Sequence, residues 1–275
     1  MNKQVTWHFT KMHGLGNDIV IVDCLREACS FDRDFIRALA DRHTGIGFDQ
    51  FITVEASRSP HTDFFCRIFN PNGSEAEQCG NGLRCVARYV HEQKIHPHDT
   101  LTIQTMAGHF PIVMPDYSAI SVTMNSPTMI DDKLTLSLPT INDVELVSLL
   151  LGNPHAIMRV DHVLNFPVET IGPLLSAHAH FPHGANIGFM QVDNPHQVTL
   201  RTYERGAGLT LACGSNATAA AVAGIAKGWL TSPVTIHFQR GYLTISWDGA
   251  EKLVMQGPAS VCYRGEFDIR DFIPT

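Results

Sequence analysis

The 275-residue chain is 44% hydrophobic and 17% charged, which is enough to bury one large core or two ordinary ones, and a folded globular protein is expected. Its formal net charge of −7 and the absence of any Lys/Arg run exclude the electrostatic footprint of a nucleic-acid binder and leave small molecules as the expected partners. Seven cysteines, an odd number scattered through the chain, exclude a secreted disulfide framework and predict reduced thiols.

In chain order, the first thirty residues lack a basic start followed by a long apolar stretch, and their strongest apolar run is Ile19 to Val22. No segment approaches the roughly 18 apolar residues that span a bilayer, so a soluble, cytoplasmic protein with no membrane contact is predicted. Short alternating or β-branched runs follow: "DIVIVD", "QFITVE", "FFCRIF", "TLTIQT", "HFPIVM" and "AISVTM". A helix over 81–93 interrupts them. "MNSPTM" marks a junction around 120–130, after which come "HAIMRVD", "NIGFMQV", "QVTLRTY", "PVTIHF", "YLTISW" and "KLVMQG", with a second helix over 215–227. Turns fall at "NPNGS" and "WDGAE". No C-x-x-C pair occurs, and His96-Pro97-His98 and His178-Ala179-His180 sit in polar surroundings, so no metal site is expected.

Four landmarks occur twice in the same order. Gly16-Asn17 answers Gly152-Asn153, "GIGFDQ" answers "NIGFMQ", "RIFN" answers "RTYE", and Cys79-Gly80 answers Cys213-Gly214, all at a nearly constant offset of about half the chain. Four collinear pairs indicate duplication of a half-length unit. The expected fold is therefore α+β, a β-rich α/β protein of two pseudo-twofold-related domains, each a mixed sheet curled around a central helix, with the ligand cleft between them. The second helix, "NATAAAVAGIA", is apolar nearly all round and should be enclosed.

Each cysteine-glycine step opens a helix. The first turn offers unpaired N–H groups and the positive end of the macrodipole, so a carboxylate is welcome there and a thiolate is favoured, with a thiol pKa falling from about 8.5 to roughly 3.5–7.5. The plainer reading of either Cys79 or Cys213 is a small buried residue at a helix entrance. Recurrence at matching places favours a pair of acid/base groups. Cys85 has Ala219 as its counterpart and reads as core, while Cys24, Cys29, Cys66 and Cys262 have neither a match nor a glycine context. Two thiols flanking the α-carbon of a bound carboxylate, one as thiolate and one as thiol, would remove a proton from one face and return one to the other, which is a racemase or epimerase reaction titrating as a coupled pair. No lysine lies in a recognisable pyridoxal site, and a cofactor-free mechanism is implied.

The motifs "KMHGLGNDIVIVD", "RHTGIGFDQ", "FNPNGSEAEQCGNGLRC", "GNPHAI", "ANIGFMQ", "YERGAG", "ACGS" and "GPA" together resemble the diaminopimelate epimerases along nearly the whole chain. The resemblance implies interconversion of LL- and meso-diaminopimelate without a cofactor, in lysine and cell-wall precursor biosynthesis. It also implies that residues 1–122 form the first domain with 263–275 returning to it, and that 123–262 form the second. Cys79 and Cys213 match the catalytic pair. Gly80, Asn81, Gly214 and Ser215 match the helix-start donors, and Asn17, Gln50, Asn70, Asn153, Asn186, Glu204 and Arg205 match the residues that hold the rest of the substrate. His155 and Glu204 match groups that orient or tune the cysteines, and a homodimer is the expected assembly. Chemistry agrees, since Arg and Asn can fix a distal carboxylate and Glu can accept from an ammonium.

The sequence departs from the family at Asn216 and Thr218, which stand where "GA" and then Cys are usual. "GLGND" lacks the third glycine of a dinucleotide fingerprint. A cysteine hydrolase using Cys79 or Cys213 with His155 would leave the second cysteine without a purpose. The remaining alternatives are a proline or hydroxyproline racemase on the same fold and a thiol redox module in which Cys79 and Cys213 form a reversible disulfide.

Overall fold

A computed structural model of the protein describes residues 6–26, 29–139 and 141–272, and of residues 141 and 142 only the backbone. Its strands read as the sequence pattern dictates. In β1 (Thr6–Gly14) and β2 (Asn17–Asp23), an antiparallel hairpin, the turn places Gly16 at φ 94°, a left-handed conformation that glycine adopts without strain. Ile19 to Val22 are all buried, as befits a strand covered on both faces. The chain then forms α1 (Arg33–Ala40), capped by Asp32 Oδ1, which accepts from Phe35 N at 2.8 Å, and β3 (Gln50–Ala56), parallel to β2. β4 (Phe64–Phe69) and β5 (Glu75–Ala76) fold back antiparallel. α2 (Gly80–Glu92) leads into β6 (Thr100–Thr105), parallel to β4, and β7 (Gly108–Val113) and β8 (Ile120–Met124) complete the meander.

The second half repeats this connectivity. β9 (Thr128–Leu138) pairs with β10 (Ile141–Leu150), and β11 (Pro154–Arg159) is antiparallel to β10. α3 (Val168–Ser176) precedes β12 (Asn186–Asn194), which is parallel to β11, and β13 (Gln197–Glu204) and β14 (Gly208–Thr210) return antiparallel. α4 (Gly214–Ala226) leads into β15 (Val234–Phe238), parallel to β13, followed by β16 (Gly241–Trp247) and β17 (Leu253–Gly257). Gly152 stands before β11 at φ 81°, the counterpart of Gly16. The last strand, β18 (Ser260–Asp268), lies antiparallel on β1, as β9 lies on β10.

Two compact units result: residues up to Val122 together with those from Pro258, and Thr123–Gly257. The protein is thus α+β, and both units are built from matching strands and helices, except that the counterpart of β9, which opens the second unit, is β18, which closes the first. The return to the first unit begins at Pro258 and not at 263, because β18 already pairs with His13 at Ser260, and the carbonyls of Pro258 and Ala259 accept from Arg84 Nε at 3.2 Å and Arg88 Nη1 at 2.6 Å. In the first unit α2 packs against β1, β2 and β3, beside an aromatic core of Trp7, Phe9, Phe31, Phe35, Phe51 and Phe267. In the second, α4 packs against β10 to β13, β15 and β16, and Asn216 to Gly224 are buried without interruption. The enclosure expected from "NATAAAVAGIA" is therefore present.

Both central helices start one residue earlier than the sequence pattern suggests, since Cys79 and Cys213 themselves occupy the N-cap with extended backbone. One expectation of reduced thiols fails: Cys24 and Cys29 are joined as a disulfide, their Cα atoms 5.6 Å apart and well within bridging range. Among the described residues no helix is long and apolar enough to cross a membrane.

Candidate active site

In the first unit Cys79 caps α2 much as a serine would, its Sγ accepting from Gly82 N at 3.2 Å. Gly80 and Asn81 form the helix's first turn. Asn17, at the head of β2, brings its Oδ1 to 3.9 Å from Cys79 Sγ and accepts from Asn81 Nδ2 at 3.1 Å. The orientation of both amides is fixed from behind: Arg84 Nη2 donates to Asn81 Oδ1 at 2.8 Å, and Asn17 Nδ2 donates to Asp49 Oδ2 at 3.1 Å. Cys79, Asn17 and Asn81 are thus drawn together from two distant parts of the chain.

Sequence reasoning missed the anchors of this set, Arg84 and Asp49. Arg84 is fully buried, and burial pulls its guanidinium down to about 10, with Cys85 and Cys79 acting the other way. Asp49 belongs to an ionic cluster in which Arg42 binds both Asp18 and Asp49 at 2.8 and 2.9 Å, and Lys11 reaches Asp18 at 2.5 Å. Burial alone would raise the Asp18 carboxyl, but Arg42 and Lys11 outweigh it and hold the group far below the usual range. Burial and the neighbouring Asp18 raise Asp49. The available signal was position: Asp49 adjoins Gln50 in "GIGFDQ", and Arg84 lies one turn beyond Gly80 in "NGLRC".

Gln50 starts β3 opposite Ile19, and its Oε1 is buried with no hydrogen-bond partner among the described residues, which suits it to a ligand donor. Asn70, after β4, donates to Ser74 Oγ at 3.0 Å and closes its own turn. Neither hydrogen-bonds to the Cys79 set.

In the second unit Cys213 donates to Glu204 Oε2 at 2.9 Å and lies 3.3 Å from Ser215 Oγ. Thr210 Oγ1 donates to the other carboxylate oxygen at 2.5 Å. The lowered pKa expected at a helix start is not found here. Burial first, and then the Glu204 carboxylate, push the Cys213 thiol well up, outweighing the help of Ser215 and the helix start. Cys213 is therefore held as a thiol. Asn186, buried at the head of β12, accepts from Arg205 N at 2.9 Å, and Arg205 itself is exposed, its Nη1 on His183 O at 3.1 Å.

Asn153 and His155 are joined to the start of α4 by a separate link. His155 is fully buried, with Nδ1 3.0 Å from Asn216 Oδ1 and Nε2 2.9 Å from Asn153 Oδ1. Both ring nitrogens are occupied in this way, so Glu204 and not His155 is the group bonded to Cys213. Gly214 and Thr218 are tied to each other, Thr218 Oγ1 donating to Gly214 O at 2.9 Å. Neither Cys79 nor Cys213 is joined in a disulfide.

Each unit therefore presents a cysteine at the N-cap of its central helix, Cys79 beside Asn17 and Asn81, and Cys213 beside Glu204 and Ser215. The family model for diaminopimelate epimerase matches residues 9–130 and 147–262. The chain belongs to the diaminopimelate epimerase family. It is 42% identical over 269 residues to a diaminopimelate epimerase of Pseudomonas aeruginosa strain PAO1, covering 94% of this chain and 98% of that one. To the diaminopimelate epimerase of Nitrosospira multiformis it is 43% identical over 277 residues, covering 95% and 98%. Membership of this family makes the protein an isomerase. Among solved structures, the fold is similar to a hydroxyproline epimerase from Agrobacterium vitis, with a TM-score of 0.76, 13% identity, and 98% and 94% of the two chains covered. It is also similar to a phenazine biosynthesis protein of the PhzF family from Bacillus anthracis, with a TM-score of 0.74, 16% identity, and 96% and 99% covered. At such identities the likeness concerns the fold, and it is the fold expected of this family.

Proposed function

We propose that the protein is a cofactor-independent epimerase that interconverts LL- and meso-diaminopimelate in the cytoplasm, with Cys79 and Cys213 as its two acid/base groups. The observation that carries this reading is the matched pair of cysteines outside any disulfide, each at the N-cap of a central helix whose first-turn N–H groups suit a carboxylate. Binding the reacting carboxylate there stabilises the negative charge that develops when the α-proton leaves. Cys213 rests as a thiol, so it supplies the returning proton when Cys79 acts as thiolate base. In the reverse direction the Cys213 proton must first leave, and Glu204 Oε2, at 2.9 Å, is the acceptor within reach. Arg205, Asn153, Asn186, Gln50 and Asn70 are assigned to the rest of the substrate, Arg205 to its distal carboxylate.

The test is incubation of the reduced protein in deuterium oxide with LL-diaminopimelate and, separately, with L-proline. Deuterium is expected at Cα of diaminopimelate only. Cys79→Ala and Cys213→Ala are each expected to reduce that uptake by orders of magnitude while remaining folded by circular dichroism. Full-rate exchange in both variants would remove the cysteines from the mechanism, and uptake by proline in place of diaminopimelate would change the substrate. A homodimer belongs to the same reading, and sedimentation equilibrium would contradict it by returning the mass of one chain.

A further inference from the structure

Both ring nitrogens of His155 face amide oxygens, Asn216 Oδ1 at Nδ1 and Asn153 Oδ1 at Nε2. Burial pulls this imidazole down to about 4, so at neutral pH it is uncharged and carries one N–H. Only one of the two oxygens can then accept, and the other amide must turn its nitrogen to the ring. Asn216 is the one that cannot turn. It is fully buried, and its Nδ2 donates to the carbonyl of Ile187 at 3.4 Å; reversing the amide would set Oδ1 against that carbonyl. Asn153 is only half-buried and its side chain has no such constraint among the described residues.

We propose that Asn216 is a positioning residue: it holds the Nδ1–H tautomer of His155, which obliges Asn153 to give its amide nitrogen to Nε2 and to present its carbonyl oxygen to the substrate as an acceptor for an ammonium group. Asn216 thereby decides, without touching the ligand, whether Asn153 recognises a positive or a negative group. The ligand half of this inference rests on the amino-acid substrate proposed above, whereas the tautomer half does not.

The experiment reads the two halves separately. Long-range proton–nitrogen spectra of the ligand-free, histidine-labelled protein, with the His155 signals assigned by their loss in His155→Gln, are expected to show Nδ1 protonated. In Asn216→Leu, or in Asn216→Gly should the leucine variant not fold, the proton is expected to move to Nε2. Turnover of diaminopimelate is expected to show KM raised about tenfold in the leucine or glycine variant, with a smaller change in kcat. A proton on Nε2 in the unmodified protein, or on Nδ1 in all variants, would overturn the assignment. A moved tautomer with KM unchanged would overturn the presentation of Asn153. If the protein exchanges no proton of diaminopimelate while the tautomer behaves as stated, the substrate reading fails and the role of Asn216 toward His155 stands.

Discussion

His155 shows how a single buried side chain ties the candidate site to the stability of its unit. Its ordinary pKa is 6.5 and burial lowers it to about 4 in the folded protein, so between these values the unfolded chain binds a proton that the folded chain refuses. Above pH 6.5 the group has no effect on stability. Stability falls as pH drops from 6.5 to about 4 and is not lowered further by this residue below that, the full loss being about 3 kcal/mol. Urea unfolding at a series of pH values is expected to show this slope in the unmodified protein and to lose it in His155→Gln. An equal slope in both would assign the pH dependence elsewhere. Cys213 illustrates the opposite outcome for an acid, since burial and Glu204 keep its proton on and make it a donor at rest.

The starts of α2 and α4 are built alike but supported differently. Cys213 faces a carboxylate directly, whereas Cys79 faces an amide whose orientation is set by a relay running from Arg84 through Asn81 to Asn17 and on to Asp49. Arg84 also holds the Pro258 carbonyl, so one buried guanidinium ties the head of the helix to the returning chain. Replacing it by methionine, Arg84→Met, would leave the buried Asn81 Oδ1 without its donor and remove one from the half-buried Pro258 carbonyl, and a loss on the order of 2 kcal/mol is expected in urea unfolding. The same variant is expected to slow deuterium uptake by freeing Asn81 and Asn17 to turn. Undiminished stability would mean that water or a neighbour takes over both groups.

Across the whole chain, one set of strands and helices is built twice, and the final strand belongs to the first unit. β18 covers β1 along its length and brings Phe267 into the aromatic core with Phe9, Phe31 and Phe35. Truncation after Gly257 is expected to expose the β1 edge and this core, so that limited proteolysis digests residues up to Val122 while 123–257 resists. Equal resistance of both units would show that β18 is dispensable. Much of this plan was legible in the sequence. The twelve quoted strand runs fall on β2 to β4, β6 to β8, β11 to β13 and β15 to β17, because alternation and β-branching are local signals. β9 and β18 were not singled out; the first half of β9 is largely exposed, and β18 takes its place only by pairing with β1. Glycine landmarks and the cysteine-glycine steps were likewise readable, since a left-handed turn and a helix cap are decided within a few residues. Only the tertiary structure decided which partner each site residue receives: Asp49 for Asn17, Arg84 for Asn81, Glu204 for Cys213, and Asn216 for His155 across 61 positions. It also reversed the acidity expected of Cys213, because burial and a nearby carboxylate depend on the packing of distant segments, which no local pattern encodes.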